Sequence, residues 1–146
     1  MMYDERFITP MRQELTGIGF EELKTAADVD AKLGDAPGTA LVVVNSMCGC
    51  AARNARPAVA NALHHAVKPD HLYTVFAGQD PEATGRARDY ITGYAPSSPS
   101  MAMFKDGKLV FAMERWQIEG RSAGEIAADL VGAFDEFCAG QGAATR

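Results

Sequence analysis

Residues 41–56 read LVVVNSMCGCAARNAR. The run at 41–44 is continuous, apolar and rich in β-branched side chains, the composition of a buried strand. The segment ends in an alanine-rich stretch that reads as a helix. At the junction stand Cys48, Gly49 and Cys50, which hold two of the chain's three cysteines. Backbone N–H groups and the helix dipole favour an anion at such a junction, so a thiol placed there is biased toward its thiolate. The segment therefore predicts thiol–disulfide chemistry at the end of a strand.

Working outward, the chain supplies the elements of an α/β domain. Upstream, Thr9-Pro10 has the form of an N-cap and a first-turn proline, opening a short helix through Met11 and Leu15 that Gly17 and Gly19 close. Residues 18–23 are ambiguous and fit an edge strand. Thr25 with Asp28 starts a second helix, with Val29 and Leu33 on its apolar side and Gly34 at its end. Asp35-Ala36-Pro37-Gly38 is a turn into the strand at 40–45. Downstream, Ala55, Val59, Ala62, Leu63 and Ala66 share one helical face, with a kink expected at Pro57. A second strand covers 72–77, and Asp80-Pro81 caps a helix to about Tyr90. After a loop at 92–99, the runs 100–104 and 109–113 flank Asp106-Gly107, a hairpin signal. Ser122 and Glu125 form a capping box for a last helix whose face is Ile126, Leu130, Phe134 and Cys138. Strand–helix–strand gives a parallel pair and the hairpin adds antiparallel strands. The expected architecture is thus thioredoxin-like: a central mixed β-sheet flanked by helices on both faces.

With 146 residues, 47% of them hydrophobic and 23% charged, the chain reads as one domain over 1–146, with 1–8 and 140–146 expected to fray. A net charge of −5 and the lack of a basic cluster argue against nucleic-acid binding. No apolar run approaches the ~18–20 residues that span a bilayer. The amino terminus, MMYDERFITP, places acids where a signal peptide would be apolar, so the expected location is the cytoplasm. In that compartment two close cysteines are catalytic or metal-binding more often than a permanent staple.

A disulfide across one intervening residue is geometrically demanding, and Gly49 would permit the unusual backbone that so small a ring needs. Such a bond is easily reduced, which suits a transient state. Cys48 is expected to be the more exposed thiol and the attacker, with Cys50, already in the helix, as resolver. Ser98-Pro99 reads from sequence alone as an ordinary rigid loop proline. Arg53 and Arg56 lie within two turns of Cys48, and two readings stand: a solvated helix face, or cations that lower a thiol pKa. His64 and His65 lie some 14 residues beyond Cys50, roughly 21 Å along a straight helix, and His71 is no better placed, so no metal is expected. Cys138 fits a buried structural thiol, while Trp116, which follows Arg115 after the hairpin, fits core or rim rather than a substrate platform.

The runs VVVNSMCGCAARNARP, SSPSMAMFKDGKLV and IEGRSAGEIAADLVGAFDEFC, with the upstream PMRQELTGIGFEEL, resemble the bacilliredoxin family over nearly the whole chain. These are small proteins of thioredoxin fold with a CGC site. The resemblance implies that Cys48 attacks a protein cysteine capped by the low-molecular-weight thiol bacillithiol, takes over the bacillithiol, and is resolved by Cys50 or another thiol. It further implies a cis proline at Ser98-Pro99 facing the cysteines, which makes Gly49, Ser98, Pro99, Arg53 and Arg56 the expected substrate-binding set. Arg53 and Arg56 would then meet the carboxylates of bacillithiol. No bound cofactor is implied; bacillithiol is the substrate thiol. The implied partners are bacillithiolated client proteins and a recycling reductase. Ordinary thioredoxins carry a buried acid on the strand before the site, and residues 41–44 offer none; Glu119 lies in a loop that returns to that end of the sheet. Two rivals remain: a general disulfide isomerase or reductase, and a metal or iron–sulfur carrier using both thiolates, for which two ligands make a poor closed site.

Overall fold

The computed structural model describes residues 3–34 and 36–139. Its central strand, β2 (Thr39–Asn45), is buried along its entire length. It pairs in parallel with β3 (His71–Phe76) and antiparallel with β4 (Ser100–Lys105). A two-residue edge strand, β1 (Glu21–Glu22), lies parallel to β3, and β5 (Lys108–Met113) lies antiparallel to β4. The result is a five-stranded mixed sheet of order β1-β3-β2-β4-β5. Asp106 and Gly107 both have positive φ, 51° and 82°, which is the backbone that a tight hairpin between β4 and β5 requires.

Among the described residues five α-helices cover the sheet: α1 (Glu5–Thr16), α2 (Ala26–Leu33), α3 (Arg56–Ala62), α4 (Pro81–Tyr90) and α5 (Ala123–Phe137). The two-residue period of β2 divides its side chains between two cores. Leu41 and Val43 pack with Leu15 of α1, Val59 of α3, and Ile126, Leu130 and Phe134 of α5. Val42 and Val44 pack on the other face with Val29 and Leu33 of α2 and Ala83 and Ala87 of α4. Burying each such aliphatic side chain contributes about 1.5–3 kcal/mol, so both faces hold β2 in one register. Cys138 is buried beside Met103, its Sγ 3.9 Å from the methionine sulfur, as expected of a structural thiol.

Four local expectations need correction. First, α1 begins at Glu5, capped by the Asp4 carboxylate on the Arg6 N–H, and carries Pro10 in its interior. Residues 5–8 are therefore helical, with Ile8 fully buried, where fraying was expected; residues 1–2 and 140–146 lie outside the described residues, as does Asp35 of the expected turn. Second, Asp80 stands at the start of α4 without capping it through its side chain, because that carboxylate goes to Arg12. Third, the helix after the cysteines opens as a π segment at Ala51–Ala55, whose last turn is closed by the Arg56 N–H on the Ala51 carbonyl. Pro57 has no N–H to give the preceding turn, and a widened turn beside it is the physical response. Fourth, α3 stops at Ala62, which leaves Ala66 exposed.

Arg12 is the largest polar feature the sequence reading passed over. Its buried guanidinium reaches Glu5 at 2.6 Å, Glu22 at 2.7 Å and Asp80 at 2.6 Å. It also lies over the Phe76 ring, 5.3 Å from the centroid. One side chain thus ties α1 to β1 and to the head of α4. The neighbouring carboxylates outweigh its desolvation and raise its pKa, so it is cationic at every relevant pH.

Candidate active site

β2 ends at Asn45 and delivers Ser46, Met47 and Cys48 to the edge of the sheet. Arg56 fixes this exit. Its buried guanidinium donates to Asn45 Oδ1 and to the Ser46 carbonyl, both at 2.9 Å, and pairs with Glu14 at 2.9 Å. The expectation of Arg56 as a substrate cation or a solvated residue is therefore corrected: it is 3% exposed and its donors are spent on the backbone that carries the site. The Ser46 N–H is itself held by Asn45 Oδ1 at 2.9 Å. That leaves the Ser46 hydroxyl aimed at Cys48, donating to Sγ at 3.1 Å.

Both thiols are free and half-buried. Their surroundings push them in opposite directions. Partial burial raises the Cys48 pKa, but the Ser46 hydroxyl, the N–H groups of Ala51 and Cys50 and the charge of Arg115 together bring it below the ordinary thiol value. Cys50 is pushed above it by desolvation, by the neighbouring Cys48 charge and by Glu119, with Arg115 opposing. Cys50 donates its S–H to Glu119 Oε2 at 3.6 Å. Of the two thiols Cys48 therefore ionises first, while Cys50 keeps its proton to higher pH.

Arg115 and Glu119 come from the turn after β5, where Arg115–Gln117 form a 3-10 segment. Arg115 pairs with Glu119 at 3.1 Å, lies 3.9 Å from Cys50 Sγ, and donates to the Ser98 carbonyl at 3.1 Å. Its backbone N–H also donates to Ser97 Oγ at 3.2 Å. The Ser98–Pro99 peptide is cis, and an open cleft of about 330 Å³ is lined by Ser46, Met47, Cys48, Arg88, Ser98 and Arg115, among others. Arg53 is exposed and folds over Gly49, where an added Cβ would stand 2.7 Å from its Nη2. Gly49 does not adopt a left-handed backbone here; what it provides is room for Arg53. Trp116 is 71% exposed on the rim, its indole N–H donating to Glu114. Among the described residues no group of three or more histidine, cysteine or acidic side chains could hold a metal.

The structure thus brings together Cys48, Gly49, Cys50, Arg53, Ser98 and Pro99, removes Arg56 from the surface, and adds Ser46, Arg115 and Arg88. Two of these had a signal in the sequence. Ser46 is two residues from Cys48, within reach for a hydroxyl-to-thiol bond, and Arg115 and Glu119 have the four-residue spacing of an ion pair. Ser46→Ala is expected to raise the Cys48 pKa and shift its alkylation profile to higher pH. A hydrogen bond to a charged group contributes about 1.5 kcal/mol or more, so the iodoacetamide rate at neutral pH should fall about tenfold. An unchanged profile would show that Ser46 does not stabilise the thiolate.

Comparison with known proteins agrees with this geometry. The Disulphide isomerase family model matches residues 3–138. The chain is 53% identical to a bacilliredoxin of Koribacter versatilis over 137 residues, 94% of each chain. It is 51% identical to one of Staphylococcus haemolyticus, again over 94% of each. The thioredoxin of Fasciola hepatica superposes with a TM-score of 0.55 at 21% identity, covering 81% of this chain and 99% of that one. That of Malassezia sympodialis gives 0.55 at 13% identity, covering 82% and 90%. The protein is a thiol–disulfide oxidoreductase of the thioredoxin fold. The chain belongs to the bacilliredoxin family.

Proposed function

We propose that the protein removes bacillithiol from S-bacillithiolated cysteines of client proteins. The observation that carries this reading is the unlike setting of the two thiols: Cys48 accepts the Ser46 hydroxyl at 3.1 Å, which favours its thiolate, while Cys50 donates its S–H to Glu119 at 3.6 Å. The Cys48 thiolate attacks the bacillithiol sulfur of the mixed disulfide. A new S–S bond joins Cys48 to bacillithiol as the old one breaks, and the electron pair leaves on the client's cysteine sulfur, which takes a proton from solvent. Loss of the Cys48 charge removes one of the influences that held the Cys50 pKa up. Cys50 then gives its proton to Glu119 and attacks Cys48, forming the Cys48–Cys50 disulfide and expelling bacillithiol as a thiolate. A recycling reductase, or two further small thiols that leave joined as their disulfide, supplies the two electrons that restore the dithiol.

The cis Ser98–Pro99 segment, with Arg115 on the Ser98 carbonyl, borders the cleft where the client chain would lie. The reaction needs no bound cofactor, since every electron pair moves between sulfurs. No described helix is long and apolar enough to cross a membrane, and the reading places the protein in the cytoplasm with its clients.

The test is release of bacillithiol from a bacillithiolated client, followed by mass, beside reduction of insulin disulfides under the same conditions. Release without insulin reduction supports the proposal. Insulin reduction without release would favour a general disulfide isomerase or reductase, the reading that the family's description suggests. Within the proposal, Glu119→Gln is expected to leave transfer onto Cys48 unchanged and to slow expulsion of bacillithiol by Cys50 about a hundredfold, the lower range for general base catalysis. Equal slowing of both steps would show that Glu119 acts on the structure and not on the Cys50 proton.

A further inference from the structure

Among the described residues, Arg88 is a cation without an acid. It stands on α4, half-buried, and lines the cleft that also holds Cys48, Ser98 and Arg115. Its Nη2 donates to the Ser97 carbonyl at 3.3 Å, while its buried Nε has no hydrogen-bond partner among the described residues. The contrast with the other enclosed arginines is sharp. Arg12 meets three carboxylates and Arg56 meets Glu14, whereas no ion pair involves Arg88 among the described residues. Desolvation is the one influence on its titration, and it disfavours the charge. A partly desolvated guanidinium with a spare donor costs stability unless an anion completes it.

We propose that Arg88, with Arg115 across the cleft, forms an anion subsite that takes a carboxylate of the small thiol while its sulfur is engaged by Cys48. The assignment deepens the function proposed above and rests on it for the identity of the thiol. Arg115 alone would be a weak anchor, because Glu119 already neutralises it. Arg88 offers an unspent charge and a planar fork that suits a carboxylate. The subsite would thereby select anionic small thiols over neutral ones, and it replaces the role expected of Arg56.

The experiment compares two disulfide probes on Cys48 in the Cys50→Ala background: 5,5′-dithiobis(2-nitrobenzoate), which carries carboxylates, and neutral 2,2′-dithiodipyridine. Each reaction forms a Cys48 mixed disulfide and releases one coloured thiolate or thione, so stopped-flow absorbance gives both rates. Any change in the Cys48 pKa cancels in their ratio. Arg88→Met should lower the anionic-to-neutral ratio about tenfold, the scale of one charge-assisted hydrogen bond, with a thermal melt of the variant as the control for folding. Arg88→Lys, which keeps the charge and loses the fork, should retain part of the ratio. An unchanged ratio, including one in which both rates fall together, would overturn the subsite and leave Arg88 as a brace for the loop at Ser97. Because neither probe contains bacillithiol, a collapsed ratio in a protein that releases none from clients would sink the proposed substrate while the anion subsite stands.

Discussion

Cys48→Ser abolishes release of bacillithiol from client proteins, to a level at least about a thousandfold below wild type, because an un-ionised hydroxyl cannot replace a thiolate nucleophile. The fold should survive, since the site is a half-buried strand exit held by Arg56 and Asn45 rather than by the thiol itself. Cys50→Ala behaves differently. It keeps the Ser46 hydroxyl and the Ala51 N–H that stabilise the Cys48 thiolate, and it removes a neighbour whose charge would compete with it. It should therefore still strip the client once and then stop. The two variants separate attack from resolution, which a simple loss of activity in both would not. Release at wild-type rate by Cys48→Ser would mean that Cys50 is the attacker and that the order of the two thiols is reversed.

The second large effect is on stability. Arg12→Met leaves Asp80, Glu22 and Glu5 facing one another around an apolar side chain. Breaking a buried ion pair by removing one partner costs about 3–5 kcal/mol, because the remaining charges stay where they were. For a domain of this size that corresponds to a fall in Tm of roughly 10 °C or more, measured by calorimetry. The effect should lessen in acid. Contacts with Arg12 and Gln79 lower the Glu5 pKa. Its contribution to stability is thus present in full above the ordinary carboxylate value and is lost as pH falls through the lowered one. Wild type should lose stability over that acidic interval while Arg12→Met loses less. A variant as stable as wild type at neutral pH would show that the carboxylates are solvated well enough without the arginine.

Arg12 also marks where sequence reading stopped. The central strand, the hairpin at Asp106-Gly107 and the capping box at Ser122 are local: each is written in a few adjacent residues, and each stands where expected. The cysteine pair was legible for the same reason. The ion cluster draws on residues 5, 12, 22 and 80, and no periodicity links such positions. The start of α1 was missed because Thr9-Pro10 imitates a helix entry, while the true determinants are the Asp4 cap and burial of Ile8. Arg56 and Arg88 show the same limit within the site. Only the tertiary packing shows that the first is spent on the chain and the second is not.

The most direct test of the account is the intact mass of Cys50→Ala after incubation with a bacillithiolated client, followed by peptide mapping. The account predicts one added bacillithiol, joined to Cys48 through a disulfide, with the client released in its reduced form. A client that stays modified, or one covalently trapped on Cys48 with bacillithiol set free, would contradict it.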